Sequence, residues 1–342
     1  MRSNQGLNYK IPVIIFMKYS FILCTYNSER IIQHVLQSII SQKINKNNFE
    51  IILADYKSND NTVKIIKKIV KINKIQITKL NTKKGKSKAL EVSLDCAKGE
   101  YAIIVDDDNI LASNFIKKAD NFLRKNKNIA LVGSQGILDK KLILPSWFKR
   151  YKSHYAIGTI NKDSDWVWGA CSIIKVSAWK ELRNIGFRFF INPGRKSHLN
   201  PISIGGEDGE LSLAFKLLAY QVTFNTETKF IHSFSQDRLN LDFFFQNLKG
   251  TSASIPILEI YRVVDLGKNF NFSKLLWILR ISKIMLFCLI KVLINIVVIK
   301  KIEIKYYYTI LITVFINFFR FASTFEKLYV NLTKIKNFNK LQ

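Results

Sequence analysis

From Lys18 onward the chain alternates runs of strand-forming residues with helix-patterned segments, and this alternation restricts the fold more than any other feature. Tyr19 to Cys24 (YSFILC) reads as a strand, and TYNSER turns it into a helix whose apolar positions Ile31, Ile32, Val35, Leu36, Ile39 and Ile40 keep helical spacing. Ile51 to Leu53 make a second strand that ends at Asp55. SNDNT then supplies capping residues for a helix carrying Val63, Ile66 and Val70. Ile75 to Leu80 is a third strand, GKSKAL opens a third helix, YAIIV (101–105) is the fourth strand and Ile129 to Val132 the fifth. Such repeats predict an α/β fold with a mostly parallel central sheet covered by helices on both faces. In that architecture ligands bind beyond the carboxyl ends of the strands, where Thr25, Asp55 and Asp106 to Asp108 fall.

The fourth strand delivers three carboxylates and an amide, Asp106, Asp107, Asp108 and Asn109, to its end. Adjacent acids repel one another unless a cation neutralises them. A divalent ion such as Mg2+ or Mn2+ is the natural partner, since hard ions take oxygen ligands and often bind through one or two carboxylates plus substrate phosphates. The plain alternative is an acidic, solvated turn. A second acidic stretch is GGEDGEL, residues 205–211. Gly205 and Gly206 allow an unusual backbone approach, and Leu211, Ala214, Phe215 and Leu218 give the following helix an apolar face. Asp208 therefore falls in a first helical turn, where the helix dipole favours the anion and a low pKa; a simple capping acid would look the same.

Charge narrows the partners. Fifty-three Lys and Arg stand against 25 Asp and Glu, a formal +28, which suits a nucleic acid or an anionic membrane. A non-enzymatic basic binder would explain that balance but not two spaced acidic sites, so no nucleic-acid partner is expected. With 48% apolar residues in 342, a sizeable core is available. Cys24, Cys96, Cys171 and Cys288 lie far apart without metal-ligand spacing, which makes a reducing compartment the default. Val13 to Met17 is too short for a signal-peptide core, and residues 1–17 read as a tail.

Five pieces taken in order, CTYNSER, ILADYKSNDNT, KKGKSKAL, GEYAIIVDDDN and GGEDGELSLAFKLLAY, resemble the family 2 glycosyltransferases of the GT-A fold, from about Tyr19 to about Leu239. LPSWFKRY, YAIG and FIHSFSQDRL resemble a bacterial subgroup that builds surface polysaccharides or lipopolysaccharide. The resemblance implies transfer of a sugar from a nucleotide-diphospho-sugar to an acceptor hydroxyl, with inversion at the anomeric carbon and with Mg2+ or Mn2+ as cofactor. It implies that Thr25, Tyr26 and Asp55 hold the nucleotide, joined by Lys86, Asp106 and Asp107, and that Asp106 and Asp108 hold the metal. It implies that Asp208 is the general base, with Glu207 positioning the acceptor. Trp168 and Gly169 fall in the sugar pocket of the family. In FIHSFSQDRL the resemblance implies His232 as a further metal ligand and Arg238 as a contact to the diphosphate; His34, His154 and His198 read as ordinary residues. Where the family often has a second acid and then Gly after Asp55, this chain has Tyr56 and Lys57. A sugar nucleotidyltransferase would share a related sheet, but the Gly-rich, Arg-containing first turn expected of one is replaced by CTYNSER.

Residues 18–240 thus read as the GT-A domain and 241–342 as a helical, membrane-associating region. An Asn- and Lys-rich break at 267–274 precedes a long apolar segment, Leu275 to Ile299, in which Arg280, Lys283 and Lys291 fall on one strip of a helix. That pattern predicts an interfacial helix with its cations toward lipid head groups. A second run, Tyr306 to Phe319, is short for a span. The expected place of work is the cytoplasmic face of the cell membrane, on a saccharide or lipid-linked saccharide acceptor. A chain ending near Lys268 is expected to keep donor binding.

Overall fold

A computed structural model describes residues 17–81, 85–161, 164–191 and 204–338. Residues 1–16 of the expected tail, and His198, lie outside them. The strands are β1 (Tyr19–Thr25), β2 (Phe49–Asp55), β3 (Ile77–Asn81), β4 (Tyr101–Asp106), β5 (Asn109–Leu111), β6 (Ile129–Leu138), β7 (Ile173–Lys175) and β8 (Gln221–His232). The helices that cover the sheet are α1 (Ile32–Ile40), α2 (Thr62–Asn73), α3 (Lys86–Cys96), α4 (Phe115–Lys125), α5 (Phe148–Tyr151), α6 (Val176–Asn184) and α7 (Glu207–Leu217). Five more follow: α8 (Leu241–Ala253), α9 (Ile255–Asp265), α10 (Phe270–Val297), α11 (Lys301–Ala322) and α12 (Phe325–Phe338).

The sheet order is β3-β2-β1-β4-β7-β6-β8-β5. Strands β1 to β4 run parallel, as the repeated βα units require. Every side chain of β1 and β2 is buried, which explains why both read as near-continuous apolar runs. The sequence pattern did not place β7, which enters antiparallel between β4 and β6, so the fifth expected strand is not a neighbour of the fourth; long-range pairing sets that order. Because the order reverses at β1, its carboxyl end and that of β4 open a crevice, and register sets the site residues side by side there. Thr25 pairs with Asp55, and Cys24 with Asp106.

Helix α7 starts at Gly206, whose φ of +113° only glycine adopts freely. A Cβ there would also lie 2.5 Å from the Ser254 hydroxyl oxygen. The glycine pair therefore fixes where Glu207 and Asp208 leave the backbone.

The C-terminal helices share the main core with the sheet. Trp277, Ile281, Phe325, Leu332 and Ile335 are buried in the same cluster as β1 and α7, and the Trp277 indole N–H donates to the Pro256 carbonyl at 2.8 Å. Two expectations change as a result. Cutting at Lys268 would remove these side chains from the core, so the shortened chain is not a free-standing domain. The break before α10 is also shorter than expected, because the Asn269 side chain accepts the Phe272 N–H at 2.9 Å and starts the helix at Phe270. Trp277→Ala should cost about 3–5 kcal/mol. An unchanged Tm in thermal unfolding would mean that α10 contributes nothing to the core.

Candidate active site

At the end of β1 the chain turns through Tyr26 to Ser28, and that turn is tied to the acidic triplet. The Tyr26 N–H donates to Asp107 at 2.9 Å, and the Ser28 hydroxyl makes a short hydrogen bond to the same oxygen. Burial raises the Asp107 carboxyl above its usual range, aided by the charges of Asp108 and Asp106 and opposed by the Ser28 and Tyr26 hydrogen bonds. Thr25 is buried one residue earlier, and its hydroxyl donates to Ser28 at 3.2 Å. At the end of β2, Asp55 is held by Ser58, whose N–H and hydroxyl donate to one carboxylate oxygen at 3.1 and 2.6 Å. Lys57 is exposed with φ +64°, the left-handed conformation suited to glycine.

Asp108 is almost fully buried and faces two cationic groups. His232 Nε2 lies 3.4 Å from one oxygen and the Arg238 guanidinium 3.0 Å from the other. Burial alone would raise this carboxyl, but the His232 hydrogen bond and the charges of His232, Arg238 and Lys86 outweigh it and bring the pKa to about 2. His232 is raised in turn: burial opposes its charge, and the hydrogen bond and charge of Asp108 prevail. Its Nδ1 lies 2.8 Å from the Tyr155 carbonyl, which can only accept, so Nδ1 carries a proton. Nε2 is thereby the atom aimed at the acidic turn, the usual arrangement for a metal-bound imidazole. Among the described residues no three His, Cys, Asp or Glu side chains form a ready metal cage. Asp108 with His232 suits an ion that completes its shell with substrate phosphates, as Mg2+ does.

The second acidic stretch lies across the crevice. Lys86 bridges the two: its ammonium is 3.6 Å from Asp106 and 3.4 Å from Glu207. Asp106 first, then Glu207, hold that lysine protonated against the cost of burial. Asp208, next to Glu207, accepts the Gly169 N–H at 3.2 Å and the Gly209 N–H at 2.8 Å. The low pKa expected from the helix dipole is not found. Burial and the charge of Glu207 raise Asp208 to about 6, more than the two N–H groups and Lys86 lower it. A carboxylate poised there is a better proton acceptor near neutral pH than an ordinary one.

Two expected sugar contacts resolve differently. Gly169 touches Asp208 through its backbone, but Trp168 is buried, donates its indole N–H to the Ser134 carbonyl at 2.7 Å and stands edge-on to Phe224. A ring held in this way offers no open face for stacking; Trp166 is the exposed tryptophan. A small, partly open cavity of about 20 Å³ lies among Trp168, Lys86, Glu207 and Asp208, room for one water molecule.

Several supporting residues carried no role in the sequence reading. Ser28 and Ser58 stand inside recognised motifs, and their hydrogen bonds show only in three dimensions. Glu210 is fully buried, accepts the Phe190 and Ile191 N–H groups at 2.9 and 2.8 Å and the Tyr261 hydroxyl at 2.5 Å, and is pushed by burial to about 7. Glu91 accepts the neighbouring Phe189 N–H at 2.9 Å. The Ile191 carbonyl accepts the Ser87 hydroxyl at 2.7 Å, so this segment is fastened to α3 beside Lys86 and to α7 beside Asp208.

A mostly parallel, curled sheet with one acidic turn at the switch point and a second at a helix start is a GT-A-like fold. Residues 20–183 match the model of glycosyl transferase family 2, so the resemblance carried by the motifs is shown over that segment. Among curated proteins, the poly(ribitol-phosphate) β-N-acetylglucosaminyltransferase TarS of Staphylococcus aureus is 32% identical over 123 residues, 35% of this chain and 22% of that protein. A poly(ribitol-phosphate) β-glucosyltransferase of Bacillus spizizenii is 27% identical over 167 residues, 48% of this chain and 26% of that one. The matches therefore span about a quarter of the length of these relatives. The mannosyltransferase PcManGT of Pyrobaculum calidifontis, solved with GDP-Man and Mn2+, superposes with a TM-score of 0.50 at 13% identity, covering 94% of this chain and 87% of that one.

Lys86 lowers the Asp208 pKa, so removing its charge should raise it. At saturating donor, wild-type turnover should fall as pH drops below about 6, and in Lys86→Met the acid limb should move to higher pH. An unmoved limb would separate Lys86 from the base.

Proposed function

We propose that this chain transfers a sugar from a nucleotide-diphospho-sugar to an acceptor hydroxyl by direct, inverting displacement. The observation that carries the reading is Lys86, which bridges Asp106 at the strand end to Glu207, the neighbour of the half-buried Asp208 poised near pH 6. The family match and the names of the relatives support sugar transfer.

Thr25, Tyr26 and Asp55 lie at or just beyond the ends of β1 and β2 and are assigned to the nucleotide, with Asp106 and Asp107 beside them. Asp108 and His232 would hold Mg2+ or Mn2+, which when bound offsets the charge of the departing diphosphate. Arg238, now on Asp108, is within reach of the same phosphates, and its planar fork matches their oxygens. On the other side, Asp208 accepts the acceptor proton as the hydroxyl oxygen bonds to the anomeric carbon. The bond from that carbon to the diphosphate oxygen breaks, and the nucleoside diphosphate leaves with the electron pair. Glu207 keeps a second carboxylate beside the incoming hydroxyl and, with burial, keeps Asp208 basic. The acceptor proposed is a saccharide or a lipid-linked saccharide; the curated relatives are named for sugar addition to poly(ribitol-phosphate), a polyol-phosphate polymer whose hydroxyls offer the same acceptor chemistry.

Asp208→Asn keeps the shape and loses the base. Turnover, read as nucleotide release from a panel of nucleotide sugars with Mn2+, should fall on the order of a hundredfold or more with donor affinity nearly unchanged. A wild-type rate in this variant would move the base elsewhere.

A further inference from the structure

Helix α10 is amphipathic in the reverse of the expected sense. The strip predicted to face lipid turns inward at its start: Arg280 makes a short ion pair with Glu259 of α9, which also binds Arg262 at 2.7 Å, and Arg262 grips Asp165 with two nitrogens. Lys291 is half-buried, its ammonium 5.5 Å from the centre of the Phe287 ring. The outward side is the apolar one. Leu275, Leu279, Leu286, Leu293 and Val297 are all more than half exposed and fall within about 40° of one another at 100° per residue. The turn into α11 continues the surface, with Val297 81% and Ile299 76% exposed. On α11, Phe315 and Phe319 are exposed as well. A helix side facing water is normally polar, and a contiguous apolar face of this length marks a contact surface.

Charge selects the occupant. Residues 270–322 hold eight Lys and Arg against one acid, Glu303. That acid is already paired with Arg150 at 3.5 Å, while Lys283, Lys300, Lys301 and Lys305 are exposed. We propose that the outer face of the α10–α11 hairpin lies in the interface of an anionic lipid bilayer, apolar side chains in the acyl boundary and these lysines at the head-group phosphates. Each such lysine adds attraction that neutral lipid cannot supply. A second copy of the chain would bring the same excess of cations against its own.

Among the described residues α11 is the one helix long and apolar enough to cross a membrane. Its inner face is committed to the protein, however: Val314 and Phe321 belong to the main core, and Thr309, Thr313 and Asn317 are buried. Crossing would pull these out of the fold, so the hairpin lies in the surface plane rather than through it. This surface stands on α10 and α11 alone and does not depend on the transferase reading.

The test is flotation of the full chain with phosphatidylglycerol–phosphatidylcholine vesicles and with phosphatidylcholine alone, alongside Leu286→Glu combined with Leu293→Glu. The wild type should float with the anionic vesicles and be released by carbonate. The double variant should lose at least tenfold of its bound fraction with unchanged Tm and unchanged nucleotide-sugar hydrolysis. No flotation of the wild type, equal flotation of the variant, resistance to carbonate, or dimers without flotation would each overturn the proposal. No nucleotide-sugar hydrolysis by the wild type, with its flotation on anionic vesicles intact, would count against the transferase reading only.

Discussion

One ammonium group holds the two halves of the candidate site in register. Lys86, in the first turn of α3, stands between Asp106 at the end of β4 and Glu207 at the start of α7. Without it, Asp106, Glu207 and Asp208 would concentrate negative charge in a partly closed crevice, at a cost that rises as water is excluded. With it, the acids at the end of β4 and at the start of α7 share one cation, and Asp208 is left at about 6, able to change protonation near neutral pH. The lysine itself is fixed by its neighbour, since Ser87 is bonded to the Ile191 carbonyl and the same segment is held by Glu210 and Glu91.

This arrangement leans on the helices that follow the α/β domain. Tyr261 of α9 donates to Glu210, and Arg262 of the same helix holds Asp165, three residues before Trp168. Behind α9 stands Trp277 of α10. A side chain on a surface-facing helix is thus two contacts away from the loop that positions Asp208 through Gly169. Only Glu259 of this ion-pair network is buried, and partly exposed pairs of this kind add little net stability.

Much of the fold was legible because it rests on local pattern. The first four strands and three helices follow from alternation and spacing, and the ends of β1, β2 and β4 placed Thr25, Asp55 and Asp106 before any coordinates. What escaped notice depends on distant partners. The place and antiparallel direction of β7 are set by its neighbours β4 and β6. The raised pKa of Asp208 comes from burial, whereas its place in a first turn argued for the opposite direction. Trp168 became a core residue because the Ser134 carbonyl lies opposite its indole N–H. The inward turn of Arg280 required Glu259, which no helical wheel of α10 contains.

The most direct test of sugar transfer by displacement is the configuration of the first product. With water as acceptor and an α-linked nucleotide sugar as donor, proton NMR of the released sugar in the first minutes should show the β-anomer ahead of mutarotation, and Mn2+ should speed its appearance. Release of the α-anomer, or no release across uridine and guanosine donors, would contradict an inverting transferase at this site.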